Sequence, residues 1–560
     1  MTAATGSSTV SGRIAAASTG RTVSVSLFVL AMAGVLAMLL ALPGETVTTK
    51  NLNDLFVLLD GTHRVVSGQV PNRDFHTALG PLAYYVPAAG YWVSGSLGAA
   101  IPVGVGLLIL VLAPVFAHVV ACRLHIALAL PFATFVLFIL ATPINLGEGV
   151  TSLSFAKFYN RIGWAALAIL LVMYLPPRRV RAGQDRLDAL CAAGLTLTML
   201  YTKATYGLAA LGFLALVQLF DPRQRRWATL AIGTVLVTGL VVEAVWQSSL
   251  AQMADLLLAW QVDGGVRGSW GQIVDHLLGN LTDYVLLALI AGLALMRTRS
   301  VGDALFYGYC AVAGFLIINQ NFQAWGIITL HAAAVVAAET ILRGVADIDP
   351  PGRDRWSVPA GAKLLVLALV LPTIVHSALA LSLHAGAAVT RSGQEIAFPN
   401  LDRVRLAQLW TWNDHEAAKA YLATIEEGVG VLADLDPGPD GVLVLDVANP
   451  FSAAVGLEPP RGDAAGLSWG RTVNAAHFLA PERMLADVQI VLEPKPAPSE
   501  DATSPPSAAE SLRNLYGPYI AAKFDLFKET THSRVHRRRE PRCADGCRGA
   551  VTLPRTAGAP

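Results

Sequence analysis

The sequence predicts a mainly α protein: a polytopic helical membrane bundle of about eleven transmembrane helices carrying a small C-terminal extracytoplasmic α/β domain. Three observations point there. The 560 residues are 54% hydrophobic. Only 14% are charged, against roughly 25% in a soluble globular protein. The charges are also uneven, with 41 in residues 1–383 and 40 in residues 384–560, so a lipid-soluble body precedes a water-soluble tail.

Residues 1–22 read as a cytoplasmic tail and 23–383 as the membrane domain. A bilayer core takes about 20 apolar residues per helix, fewer where the ends snorkel. Eleven stretches qualify: 23–43, 97–121, 125–143, 162–176, 188–201, 208–220, 227–247, 283–296, 303–319, 327–342 and 362–383. The fifth and sixth flank the interruption Thr202-Lys203-Ala204-Thr205-Tyr206-Gly207 and are readable as one broken helix. Arg13 and Arg21 precede the first stretch as in a secretory leader, but Val23–Leu42 outruns an h-region of about 7–15 residues, so it is expected to remain as an anchor.

Orientation follows from the basic residues of the loops. With the N-terminus in the cytoplasm, the inner segments hold fifteen Lys and Arg and the outer ones seven, which sends the C-terminal tail outside a plasma (inner) membrane. No internal repeat is evident. A net charge of +1 argues against nucleic acid as a partner, which needs a surplus of Lys and Arg on one face.

The tail should fold on its own pattern. Residues 384–532 read as an extracytoplasmic α/β domain with an amphipathic helix at Asp414–Leu432, strands at 441–447 and 488–492, a Pro/Ser-rich linker at 494–508 and a helix at 509–530. Residues 533–560 turn Arg-, Pro- and Gly-rich and are expected to be disordered. Cys543 and Cys547 would pair if that tail met an oxidising compartment; the other three cysteines sit in or beside apolar runs.

The first outer loop, 44–96, carries the chemistry. Asp54, Asp60 and Asp74 lie just beyond the first span, and residues 52–67 are expected to form a helix in the membrane interface. The loop then reads Gly68-Gln69-Val70-Pro71-Asn72-Arg73-Asp74-Phe75 and Gly80-Pro81-Leu82-Ala83-Tyr84-Tyr85. An acid after span one, a Gly-x-x-Pro, an Asp-Phe and a Gly-Pro-Leu-x-Tyr-Tyr resemble the first outer loop of GT-C-type polytopic glycosyltransferases. That class includes protein O-mannosyltransferases and lipid A aminoarabinose transferases.

The resemblance implies sugar transfer from a polyprenyl-phosphate-linked donor to a lipid, glycan or protein acceptor at the outer membrane face. Asp54 would be the general base, which suits a carboxylate near the membrane. Lys203 and Arg161 would meet the lipid phosphate as charge develops on it. Asp74, Tyr84 and Tyr85 are the further donor or substrate contacts. Asn53-Asp54 stands where the class most often has two acids or Asp-x-Asp. A divalent cation, Mg or Mn, is therefore left open, with Asp54 and Asp74 as the residues that would hold it.

Each candidate has a plainer reading. Asp54 can be a first-turn acid with Lys50 as its partner. Asp60 pairs with Arg64 at i,i+4, and Asp74 can cap the following helix. Lys203 and Arg161 can snorkel from helix ends. Glu148 and Asn319-Gln320-Asn321 either line an acceptor pocket or are solvated, while Asp303 and Glu339 are expected beside Arg299 and Arg343. Glu243 and His376 fall within apolar spans, where an ionisable group is costly. Arg461-Gly462-Asp463 matches an adhesion tripeptide, without meaning at that length. A transporter or flippase of lipid-linked sugars is the alternative function, and a non-enzymatic assembly subunit a third.

Overall fold

A computed structural model describes residues 6–263, 270–321, 323, 325–346, 358–435, 440–495 and 507–539. α1 (Gly6–Ala41) leads into β1 (Thr46–Thr48), α2 (Leu52–Val66) and α3 (Leu82–Ser94), which occupy the first loop. Then follow α4 (Leu97–Arg123), α5 (Ile126–Ala141), α6 (Phe158–Val172), α7 (Gln184–Thr202), α8 (Ala204–Phe220) and α9 (Arg225–Trp246). Two amphipathic pieces, α10 (Ser249–Asp263) and α11 (Trp270–Gly279), precede α12 (Leu281–Thr298), α13 (Val301–Gln320), α14 (Ile328–Ala346) and α15 (Val358–Val389).

Every one of the eleven apolar stretches therefore lies on a helix. Six helices, in α1, α4, α9, α12, α13 and α15, are long and apolar enough to cross a membrane, and α5, α6 and α8 are shorter apolar helices. The protein is multi-pass on that count. Pro102, Pro114, Pro131 and Pro372 sit inside these helices, as apolar surroundings tolerate. The broken-helix question resolves at one residue: Lys203 alone is extended (φ −156°, ψ 116°) between α7 and α8.

Polar residues gather in two sets. Arg123 pairs with Asp188 at 2.8 Å, and Glu339 takes Arg178 at 2.6 Å and Arg343 at 2.9 Å. These are residues assigned to the inner side. Lys50 meets Glu148 at 3.6 Å and Lys157 meets Asp54 at 3.8 Å, within the set assigned to the outer side. Asp303 lies with the first set, taking a hydrogen bond from Tyr174 Oη at 2.7 Å.

Beyond α15 the chain forms β2 (Gln394–Phe398), β3 (Leu401–Leu406), α16 (Trp412–Ala433), β4 (Val442–Val444), α17 (Phe451–Val455), α18 (Pro481–Met484), β5 (Ile490–Pro494), α19 (Ala508–Lys523), β6 (Phe524–Glu529) and β7 (Ser533–Arg538). β1 of the first loop pairs in parallel with β3, with β2 antiparallel on its other side. A second sheet runs β4-β5-β7-β6.

Two details differ from the sequence reading. The helix expected over 509–530 stops at Lys523 and turns into β6. Residues 533–539, expected to be disordered, include β7. That strand is basic, yet Val535 is buried in the core, while Arg534 and His536 bond Glu493 on β5 at 3.1 and 3.0 Å. Acids on the flanking strands neutralise a run that composition alone marks as unstructured. Cys543, Cys547 and most of the Pro/Ser-rich linker lie outside the described residues.

Candidate functional site

α2 begins at Asn51, held in the left-handed region (φ 57°), and buries Leu55, Phe56, Leu58 and Leu59. Asp54 in its first turn faces the other way, with its side chain 34% exposed. Its ionic partner is Lys157, not the expected Lys50. The helix itself is roofed by protein: Phe56 meets Tyr421 of α16 edge-on at 6.2 Å.

Lys157 leads into α6, whose first turn carries Asn160 and Arg161; the helix starts four residues earlier than expected, so Arg161 lies within it rather than before it. Lys203 reaches the same place. Its Nζ donates to Asn160 Oδ1 at 3.0 Å and to Asn321 Oδ1, and lies 5.3 Å from the Tyr159 ring centroid. Asn321 in turn donates to Tyr206 Oη at 3.1 Å. Tyr206 presses on Gly163, where a Cβ would come within 2.3 Å of the ring. A larger residue at Gly163 would push α6 and α8 apart.

Arg161 is 1% exposed, and none of its three guanidinium nitrogens has a hydrogen-bond partner among the described residues. Its guanidinium carbon stands 5.6 Å from the Phe155 ring centroid. On the other side it borders a cavity also lined by Thr142, Gly147, Trp325 and His376. An unpaired buried charge costs several kcal/mol, about what an anion would repay on binding.

The loop motif does structural work around this cluster. Gly80 N–H donates to Thr202 O at 3.1 Å, and a Cβ there would sit 2.2 Å from Tyr201 O, so only glycine lets the loop abut the end of α7 beside Lys203. Tyr84 is fully buried against Gly61 and Phe75 and shares a hydrogen bond with Thr77 Oγ1 at 2.7 Å. Tyr85 is half-buried near Arg73 and Asp74.

Asp74 caps backward rather than forward. Its Oδ2 accepts from Val70 N–H at 2.8 Å, and it pairs with Arg73 at 2.8 Å and Arg461 at 3.8 Å, whereas α3 is entered at Pro81. Burial opposes its charged form, but the hydrogen bonds from Arg73 and Val70 and the charges of Arg73 and Arg461 hold the carboxyl below its usual range. Asp54 and Asp74 thus each have a cation of the chain as partner. Among the described residues no three His, Cys, Asp or Glu converge to hold a metal ion.

Sequence reasoning missed one pair. His76 Nδ1 lies 2.5 Å from Asp255 Oδ1 of α10, and Asp255 Oδ2 accepts from Asn72 Nδ2 at 2.9 Å and Thr77 N–H at 3.1 Å. The carboxylate fixes the ring's tautomer and orientation beside a pocket lined by Ala464, Leu467 and Tyr516. With 179 residues between the partners, no local pattern announces them.

Three other expectations gain partners. Asp60 does pair with Arg64 at 2.7 Å, but fully buried, and Arg64 also holds Asp463. The tripeptide 461–463 is therefore an internal contact. Glu243 Oε2 accepts from Leu250 N–H at 3.0 Å, and His376 Nε2 bonds Glu148 O at 2.9 Å.

By sequence, the chain matches no protein-family model and no curated protein. Three chains of solved structures match it, among them the crystal structure of ArnT from Cupriavidus metallidurans bound to undecaprenyl phosphate. That structure is 13% identical, with a TM-score of 0.47 over 91% of this chain and 97% of that one.

Proposed function

We propose that this protein is a GT-C-type membrane glycosyltransferase that moves a sugar from a polyprenyl-phosphate donor to an acceptor hydroxyl. The supporting observation is that Asp54 pairs with Lys157 and Lys203 bonds Asn160, so that three separate segments meet at the start of α6, where Arg161 has no hydrogen-bond partner among the described residues. A carboxylate and a buried cationic pocket are the two halves that such a transfer needs. The loop motif of residues 54–85 is the other support.

In this reading the acceptor oxygen attacks the anomeric carbon as its proton passes to Asp54. The bond from that carbon to the phosphate oxygen breaks, and polyprenyl phosphate leaves with the electron pair, stabilised by Arg161 and Lys203. Asn160 and Asn321 position Lys203. Purified protein should bind polyprenyl phosphate, and Arg161→Met together with Lys203→Met should weaken it by at least tenfold. Unchanged affinity in the double variant would remove the assignment. The sugar would come from mass spectrometry of envelope glycans and glycolipids in a deletion strain.

A further inference from the structure

α10 is built inside out. Its side toward the protein is the polar one: Ser248, just before the helix, and Gln252 and Asp255 within it are buried, at intervals of four and three residues. Each has partners. Ser248 Oγ donates to Pro71 O at 3.0 Å, Gln252 Nε2 donates to Leu200 O at 2.9 Å, and Asp255 takes Asn72, His76 and Thr77 of the first loop. The opposite side is apolar and uncovered. Leu250, Met253, Leu257 and Trp260 are each more than half exposed, recur at intervals of three and four residues, and form a stripe without a charge. A helix at a water-facing surface has the reverse arrangement. α11 repeats the pattern: none of its residues is buried, Trp270, Val274 and Leu277 are exposed along one face, and His276 turns to α13, its Nδ1 2.8 Å from Asn319 Oδ1.

The level of α10 against the bundle follows from its first turn. α9 is long and apolar enough to cross a membrane, and Leu236, Val237, Leu240 and Val241 are exposed on it. Past the end of α9 the chain folds back along it: Ser249 Oγ donates to Gly239 O at 3.5 Å, and Leu250 N–H donates to Glu243 Oε2 at 3.0 Å. Gly239 is seven residues short of Trp246, the last residue of α9, which is about 10 Å at 1.5 Å per residue. α10 therefore starts below the end of the span, at the level of the apolar face that α9 itself leaves open. Trp246, Trp260 and Trp270 are all exposed, and tryptophan gathers where hydrocarbon meets headgroups.

We propose that α10 and α11 lie in the membrane interface, with their apolar faces in the bilayer leaflet that borders the first loop. The partner is the lipid hydrocarbon just beneath the headgroups, and Asp255 ties the first loop to that level. This surface is distinct from the Lys203 and Arg161 cluster and does not depend on the glycosyltransferase reading.

Full-length protein in lipid nanodiscs would carry one nitroxide at a time, at Met253→Cys, Leu257→Cys or Leu277→Cys, with the five native cysteines replaced by serine. Oxygen, which concentrates in hydrocarbon, should reach all three at least about threefold more than a water-soluble nickel chelate does, and Glu416→Cys, on an exposed part of α16, should show the reverse order. Wild-type protein gives a check free of substitutions: phosphatidylcholine with a diazirine high on its acyl chain should crosslink to peptides within 249–263 and 270–279. Labels that favour the nickel chelate, or wild-type protein without crosslinks in those peptides, would overturn the proposal. Spin–spin broadening between copies at Leu257→Cys would give the face to a second copy of the chain and overturn it as well.

Discussion

Arg64 and Asp463, 399 positions apart, face each other in a two-pronged ion pair: Nη1 to Oδ1 at 2.6 Å and Nη2 to Oδ2 at 2.8 Å, both side chains fully buried. Arg64 Nε also holds Asp60, and Nη1 donates to Pro460 O at 2.8 Å. One guanidinium thus fastens the C-terminal segment onto the helix that carries Asp54.

Removing that cation strands two carboxylates in the interior. Arg64→Met should destabilise the protein by about 3–5 kcal/mol, the range for breaking a buried ion pair on one side. Thermal unfolding in detergent would measure it, and limited proteolysis should show residues 390–540 cut faster. A loss under 1 kcal/mol would mean the pair is not the fastening.

Two carboxylates sharing one guanidinium leave an excess negative charge, and burial pushes Asp463 up to about 6 against the pull of Arg64. A carboxyl raised in the folded state favours folding below its unfolded value of 3.8, and that contribution is lost as pH rises through about 6. Asp463→Asn removes the term. The difference in melting temperature, wild type minus variant, should grow as pH falls from 7 to 4. A flat difference would show that Asp463 does not titrate there.

Asp54→Asn keeps the shape of the first turn of α2 and deletes the proposed base. Transfer should fall by about 10²–10⁴-fold, the usual contribution of general base catalysis, with folding and membrane insertion unchanged. Wild-type turnover in this variant would dismiss Asp54.

Arg161 sets stability against function. Because its buried charge has no hydrogen-bond partner among the described residues, Arg161→Met should raise the melting temperature, by an amount equivalent to about 1 kcal/mol or more, while weakening polyprenyl phosphate binding. An arginine serving only the fold would give the reverse: a lower melting temperature and intact binding.

Gly80→Ala tests the packing around the cluster without touching its chemistry. The added Cβ would meet backbone, Tyr201 O at 2.2 Å, so it should cost about 1–3 kcal/mol and lower activity by displacing the loop from Lys203. Full stability and activity together would show that the loop can yield there.

Several features could be read locally. The i,i+4 pair of Asp60 and Arg64 was legible because helix geometry fixes such neighbours; that both are buried was not, since burial depends on what covers α2. Lys203 stood out as a cation in an apolar gap, but Asn160 and Asn321 as its partners come from other helices. Asp74 does not cap the following helix, because the turn it closes lies behind it, at Val70, whereas capping patterns run forward into a helix. β7 was missed because Arg534 and His536 are balanced by Glu493 of β5, some forty positions away in the sequence.

The chain's own order of residues determined that eleven apolar stretches would be helices, that a charged tail would follow, and that acid, glycine and tyrosine would crowd the first loop. Those are properties of local composition and period, which lipid and backbone hydrogen bonding convert directly into helices. Tertiary structure alone decided that Asp54 meets Lys157, that Arg161 has no hydrogen-bond partner among the described residues, that His76 finds Asp255, and that Arg64 closes on Asp463. Each of these depends on which helix faces lie together, and a period along one segment carries no record of the segment packed against it.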